Sequence, residues 1–67
     1  MSVARVTEIS VTSPQSFEAA IQEGIQRATK TLRNVRSAWV KEQEVMIEND
    51  RIASYKVNLL ITFVLED

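Results

Sequence analysis

Carboxylates at Glu42, Glu44 and Glu48 recur at even spacings within Ser37–Glu48 (SAWVKEQEVMIE), a stretch that alternates as one long β-strand. Residues two apart on a strand share a face, so these three carboxylates should line up with Ala38, Val40 and Met46. A row of carboxylate oxygens is chemistry suited to a hard divalent cation such as calcium or magnesium, with Glu42 and Glu44 as the metal candidates. The same row also reads as a solvated face, or as one half of cross-strand ion pairs with Lys or Arg. That is the plainer reading, because opposite charges commonly face each other across strands and no EF-hand-like spacing is present.

The other parity of this stretch carries Ser37, Trp39, Lys41, Gln43, Val45 and Ile47, and it should be the face turned away from the helix. Trp39 is the only Trp in the chain. A Trp on such a face either anchors a subunit interface, where Trp is enriched, or stacks on a flat ligand. Composition alone favours the interface.

Catalysis has little to work with. His and Cys are both absent, which removes the commonest general base, thiol nucleophiles and thiolate metal sites together. The serines have no His partner, no glycine-rich phosphate loop exists, and nothing marks Lys41 or Lys56 as buried enough to turn nucleophilic. The expectation is a protein that is not an enzyme. A net charge of −1, from eight Lys and Arg against nine Asp and Glu, supplies no basic field for nucleic acid. MSVARVTEIS lacks the apolar core of a signal peptide. The run Leu59–Leu65 is broken by Thr62 and far too short to span a bilayer, so a cytoplasmic protein is expected.

The elements that must position these residues follow from pattern. Val3–Val11 is rich in β-branched residues and predicts a strand. Thr12-Ser13-Pro14 reads as a helix start, with Ser13 as cap and Pro14 at the first helical position. Phe17, Ile21, Ile25, Ala28 and Leu32 then recur as an apolar stripe, and the helix should end near Asn34. Gly24 beside that stripe points to close approach of a neighbouring strand. Asn49-Asp50 is a two-residue hairpin turn. Arg51–Leu65 alternates as the last strand, with Tyr55, Val57, Leu59, Ile61, Phe63 and Leu65 on the core face. Ser54, Lys56, Asn58, Leu60, Thr62 and Val64 fall on the other.

This is an α+β chain in the order β-α-β-β. A crossover helix between the first two strands favours placing them parallel, and the last strand can slot between them. The outcome is a three-stranded antiparallel sheet curled around one helix, in a single domain spanning residues 1–67. One helix covers one face, so Leu60 and Val64 are left over and predict subunit contacts. A 67-residue chain without disulfides also needs another source of stability, and oligomerisation is what remains.

The whole chain resembles a dodecin. The likeness rests on VTSPQSFEAAI at the helix start, IQRATKTLRNV through its end and YKVNLLITFVLED at the C-terminus, in that order and spacing. Dodecins are small β-α-β-β proteins that assemble as hollow dodecamers and typically bind flavins between subunits. The resemblance therefore implies a homododecamer with itself as partner and FMN or riboflavin as cofactor. Its role would be small-ligand storage, sequestering flavins from their photochemistry.

The family's flavin signature is a Trp shortly after the helix in a W-x-E-V pattern, with a polar residue, typically Gln, on the last strand. Without gaps, LRNVRSAWV puts Ser37 at the Trp position and Trp39 at the Glu position, and Lys56 replaces the Gln. Loss of the platform removes stacking worth about 0.5–1.5 kcal/mol beyond simple burial, and Lys exchanges a two-way amide for a donor-only cation. Ser37, Trp39, Gln43 and Lys56 are the candidate cofactor contacts. A flavin in a pose displaced toward Trp39, another small ligand or a divalent cation, and a ligand-free cage are the alternatives.

Overall fold

A computed structural model describes residues 2–65; Met1 and the Glu66-Asp67 end of the C-terminal motif lie outside the described residues. The elements are β1 (Val3–Ser13), α1 (Phe17–Thr31), β2 (Val35–Glu48) and β3 (Arg51–Leu65). The sheet order is β1-β3-β2, with β3 antiparallel to both neighbours. The expected β-α-β-β chain, with its last strand inserted between the first two, is the observed fold.

The helix starts later than Thr12-Ser13-Pro14 suggested. β1 continues to Ser13, whose buried hydroxyl accepts a hydrogen bond from the Gln15 N–H at 3.1 Å. The cap is Ser16, in extended backbone, and its Oγ accepts from the Ala19 N–H at 2.9 Å. That bond satisfies one of the amides left free in a first helical turn. At the other end α1 stops at Thr31, short of Asn34. Asn34 takes φ 60° to redirect the chain, a conformation Asn tolerates better than most residues, and its carbonyl accepts from the Val64 N–H at 3.0 Å.

The core is Ala20, Ala28, Val57, Leu59 and Ile61, with Ile9, Val11, Phe17, Ile21, Leu32, Val35 and Ala38 packed against it. The middle of the buried helix face is thus Ala20-Gly24-Ala28, a line of small residues, and the larger stripe residues flank it. Small side chains there let the helix axis sit close to the sheet. A Cβ on Gly24 would fall 2.6 Å from Val11 Cγ2 and 3.1 Å from Leu59 Cδ1, so the close approach expected at this glycine is present. Phe17 meets Tyr55 edge-on, with ring centroids 5.1 Å apart.

Tyr55 is also the last residue of β3 to pair with β1, opposite Ser13. Beyond that rung only the β2–β3 hairpin continues, turning through Asn49 at φ 53° and Asp50 at φ 63°. Two positive φ values in a two-residue loop match the twist of flanking strands. The opposite end is also open. Leu65 belongs by register to the core face but is 48% exposed, because α1 does not reach its rung.

Candidate functional site

The site is built on β2, and β2 is not regular. Its pairing with β3 shifts between Val35 and Ser37, between Val40 and Glu42, and between Met46 and Ile47. At the second shift Val40 faces Leu59 and Glu42 faces Asn58, so Lys41 is an extra residue opposite no partner. Such a bulge bends the strand and moves everything after it by one residue relative to simple alternation.

The consequence is a correction to the expected faces. Cross-strand partners share a face, so Ser37 (opposite Thr62) and Trp39 (opposite Leu60) lie on the outer face, away from the helix. After the bulge Glu42 (opposite Asn58) and Glu44 (opposite Lys56) lie on that same outer face. Gln43 and Val45, placed with Trp39 by simple alternation, instead pair with Val57 and Tyr55 on the helix side, and Ile47 follows them opposite Ile52. The extra residue at Lys41 therefore joins the aromatic and the carboxylates that period-two counting kept apart. Ala38, opposite Ile61, and Val40, opposite Leu59, stay on the helix side as separate neighbours.

The outer face has an apolar part and a polar part. Trp39 is 64% exposed beside Leu60, and Val6, opposite Thr62 on β1, is 54% exposed. Next along the strands, the Asn58 amide donates to Glu42 Oε1 at 2.9 Å. Lys56 Nζ lies 3.3 Å from Glu44 Oε1. Glu42, Gln43, Glu44, Lys56 and Asn58 line a shallow depression of about 340 Å³. Gln43 thus borders the polar depression although its register is that of the helix side. Between the two parts, Lys41 Nζ reaches across β3 to Glu8 Oε1 at 3.5 Å. Alternation places Lys41 on this outward face, and the link to Glu8 fits that placement.

This geometry can hold a flat group against Trp39 and offer both donors and acceptors beside it. Among the described residues no three acidic side chains come together to share one ion. A larger groove of about 680 Å³ runs between α1 and the free edge of β1, floored by Ile9, Val11 and Gly24, and contains none of the candidate residues. No helix of the described residues is long and apolar enough to cross a membrane.

A β-α-β-β chain with an aromatic and polar outer sheet face is the architecture of a small-ligand-binding family. The dodecin family model matches residues 3–66, and the chain belongs to the dodecin family. It is 36% identical over 63 residues to the calcium dodecin of Mycobacterium tuberculosis, covering 94% of this chain and 89% of that one. The solved dodecin from Streptomyces davaonensis superposes with a TM-score of 0.92 at 35% identity, covering 98% of this chain and 97% of that chain. The structure of the M. tuberculosis calcium dodecin, described as having a novel calcium-binding site, superposes with a TM-score of 0.83 at 33% identity, covering 96% and 91%.

Proposed function

We propose that this protein is a non-catalytic subunit of a cytoplasmic homododecamer that binds and stores a flat small ligand at the outer sheet face. The observation that carries this is Trp39, largely exposed on that face beside Leu60, with Val6 exposed across β3 and a polar depression further along the same strands. An apolar patch that includes an exposed Trp fits burial by a second subunit, a ligand, or both. Ligand class follows from the pairing of an aromatic plane with a donor and acceptor rim. FMN or riboflavin suits both, and is the ligand expected of this family. With Ser37 where the family's platform Trp stands, the ring would lie displaced along β2 toward Trp39. The shift is about 6–7 Å, one same-face step on a strand.

A second reading, binding of a divalent cation, draws on the similarity to the calcium dodecin of M. tuberculosis. Glu42 and Glu44 are the carboxylates it would use, and the ion would have to displace the β3 partner that each already faces, Asn58 and Lys56.

Native mass spectrometry of the purified protein tests the main reading, since it reports subunit count and retained ligand together. Twelve copies and quenching of riboflavin or FMN fluorescence on titration are expected. Trp39→Ala should weaken flavin binding at least about tenfold, the scale of roughly 1.4 kcal/mol of stacking, and leave the particle intact. A stable monomer at micromolar concentration refutes the assembly. Unchanged quenching in Trp39→Ala refutes the platform, and disassembly makes Trp39 an interface anchor.

A further inference from the structure

We infer that Lys56 sets which ligands the polar depression accepts, by acting as a tethered cation that keeps divalent ions out of the Glu42–Glu44 pair. The inference rests on the depression alone and does not depend on a flat ligand at Trp39.

The bulge at Lys41 puts Glu42 and Glu44 on one face as next neighbours, so their backbones stand about 6–7 Å apart. Two carboxylates at that spacing are within reach of one oxygen-seeking ion. Both, however, are turned onto β3. Glu42 Oε1 accepts from the Asn58 amide at 2.9 Å, and Glu44 Oε1 lies 3.3 Å from Lys56 Nζ. The ammonium reduces the charge of the lining groups from that of two carboxylates to that of one. Being part of the chain, it is also present at high effective concentration and does not diffuse away when a metal competes.

No other group facing the depression restores the lost charge. The β1 residues on this face, Ser10 opposite Asn58 and Thr12 opposite Lys56, are neutral hydroxyls. Glu8, the nearest acid on β1, is engaged by Lys41 at 3.5 Å. No third acidic side chain joins the pair among the described residues. With Lys56 in place, the depression is suited to neutral or anionic groups that accept from an ammonium and an amide. Without it, two adjacent carboxylates face outward with an attraction for a divalent ion that is stronger by a full unit charge.

Terbium luminescence sensitised by Trp39 gives a direct readout, because Trp39 lies on the same face two rungs along β3 from Glu42. The intact protein should bind Tb³⁺ only weakly. Lys56→Met, which removes the charge and adds no oxygen ligand, should tighten binding at least about tenfold. Lys56→Arg should stay at the level of the parent, and Lys56→Met combined with Glu44→Gln should lose the gain. Calcium titration by calorimetry on the same proteins checks that the response is not peculiar to terbium. Equal affinity of the parent and Lys56→Met overturns the inference, as does a gain that survives Glu44→Gln. Lys56 is more than a third exposed, and retained native mass of each variant confirms that folding is not what changes.

Discussion

The two faces of β3 differ in how completely this chain accounts for them. On the helix side, Val57, Leu59 and Ile61 are fully buried by Ala20, Gly24, Ala28 and their neighbours. Away from the open ends at Leu65 and Ile47, the apolar groups of β3 there are covered within the chain. On the outer side, Leu60 faces Trp39 on one flank and Glu8 on the other, and Val6 and Trp39 remain mostly exposed. The middle of the helix side is a closed core. The outer side holds Trp39, Glu42, Glu44, Lys41, Lys56 and Asn58, and the helix covers none of them. The buried core and the candidate site thus lie on opposite faces of a single strand, and neighbouring residues report on each.

Leu59 and Leu60 give the largest contrast. Leu59→Ala removes a fully buried side chain from a close-packed core and should cost about 2–5 kcal/mol of folding free energy. Leu60→Ala removes a partly exposed one from the outer face and should cost the fold less than half as much. Urea melts of both variants measure the difference, with native mass spectrometry alongside. Loss of the particle in Leu60→Ala with the melt little changed sharpens the contrast. Equal destabilisation would show that the outer face is part of the folding core.

Gly24 tests the helix side from the opposite direction, by adding an atom. Ala is favoured over Gly in a helix by about 1 kcal/mol. Against that, the new methyl would sit 2.6 Å from Val11 Cγ2 and 3.1 Å from Leu59 Cδ1. Overpacking of this kind costs about 1–3 kcal/mol, and neither neighbour is a flexible tip free to swing aside. Gly24→Ala should lower the melting temperature by several degrees. A rise would mean that the helix can lift from the sheet at little cost.

What could be read from the sequence divides along the same faces. Element order, the insertion of β3, the turn at Asn49-Asp50 and the buried side of β3 all follow from periodicity and turn chemistry, which are local signals. The centre of the helix face was less legible. Ala20, Gly24 and Ala28 are weakly hydrophobic, so the eye follows Phe17, Ile21 and Ile25, while packing distance selects the small residues. The helix start misled because Ser13-Pro14 is as good a cap signal as Ser16, and the choice between them lies in how far β1 pairs with β3. The candidate site was legible in its members and not in its geometry. Glu42, Glu44, Trp39 and Lys56 stand out by type. A single unpaired residue at Lys41 decides that they share a face, and a bulge at a lysine between Val and Glu has no compositional mark.

That last point yields the smallest expected effect and a direct check on the bulge. Lys41 is extra in β2: Val40 pairs with Leu59 and Glu42 with the next residue, Asn58. Deleting Lys41 would make the ladder regular from Ser37 to Met46 while keeping every pair on both sides, so Trp39 would stay with Leu60 and Glu44 with Lys56. The loss would be the local bend and the exposed contact to Glu8, and exposed ion pairs are worth about 0–1 kcal/mol. The melt should therefore shift by no more than about that amount. Deleting Gln43 removes one residue from the same strand but from a paired position, opposite Val57. The strand then either reverses its faces on one side, exposing apolar residues and burying polar ones, or absorbs the loss at the bulge, which moves Glu42 to the helix side opposite Val57. Chain length and loop closure are the same in the two deletions, so only the bulge separates them. If both are equally damaging, Lys41 is not an inserted residue in the sense its pairing indicates, and the shared face of Trp39 and the carboxylates loses its structural cause.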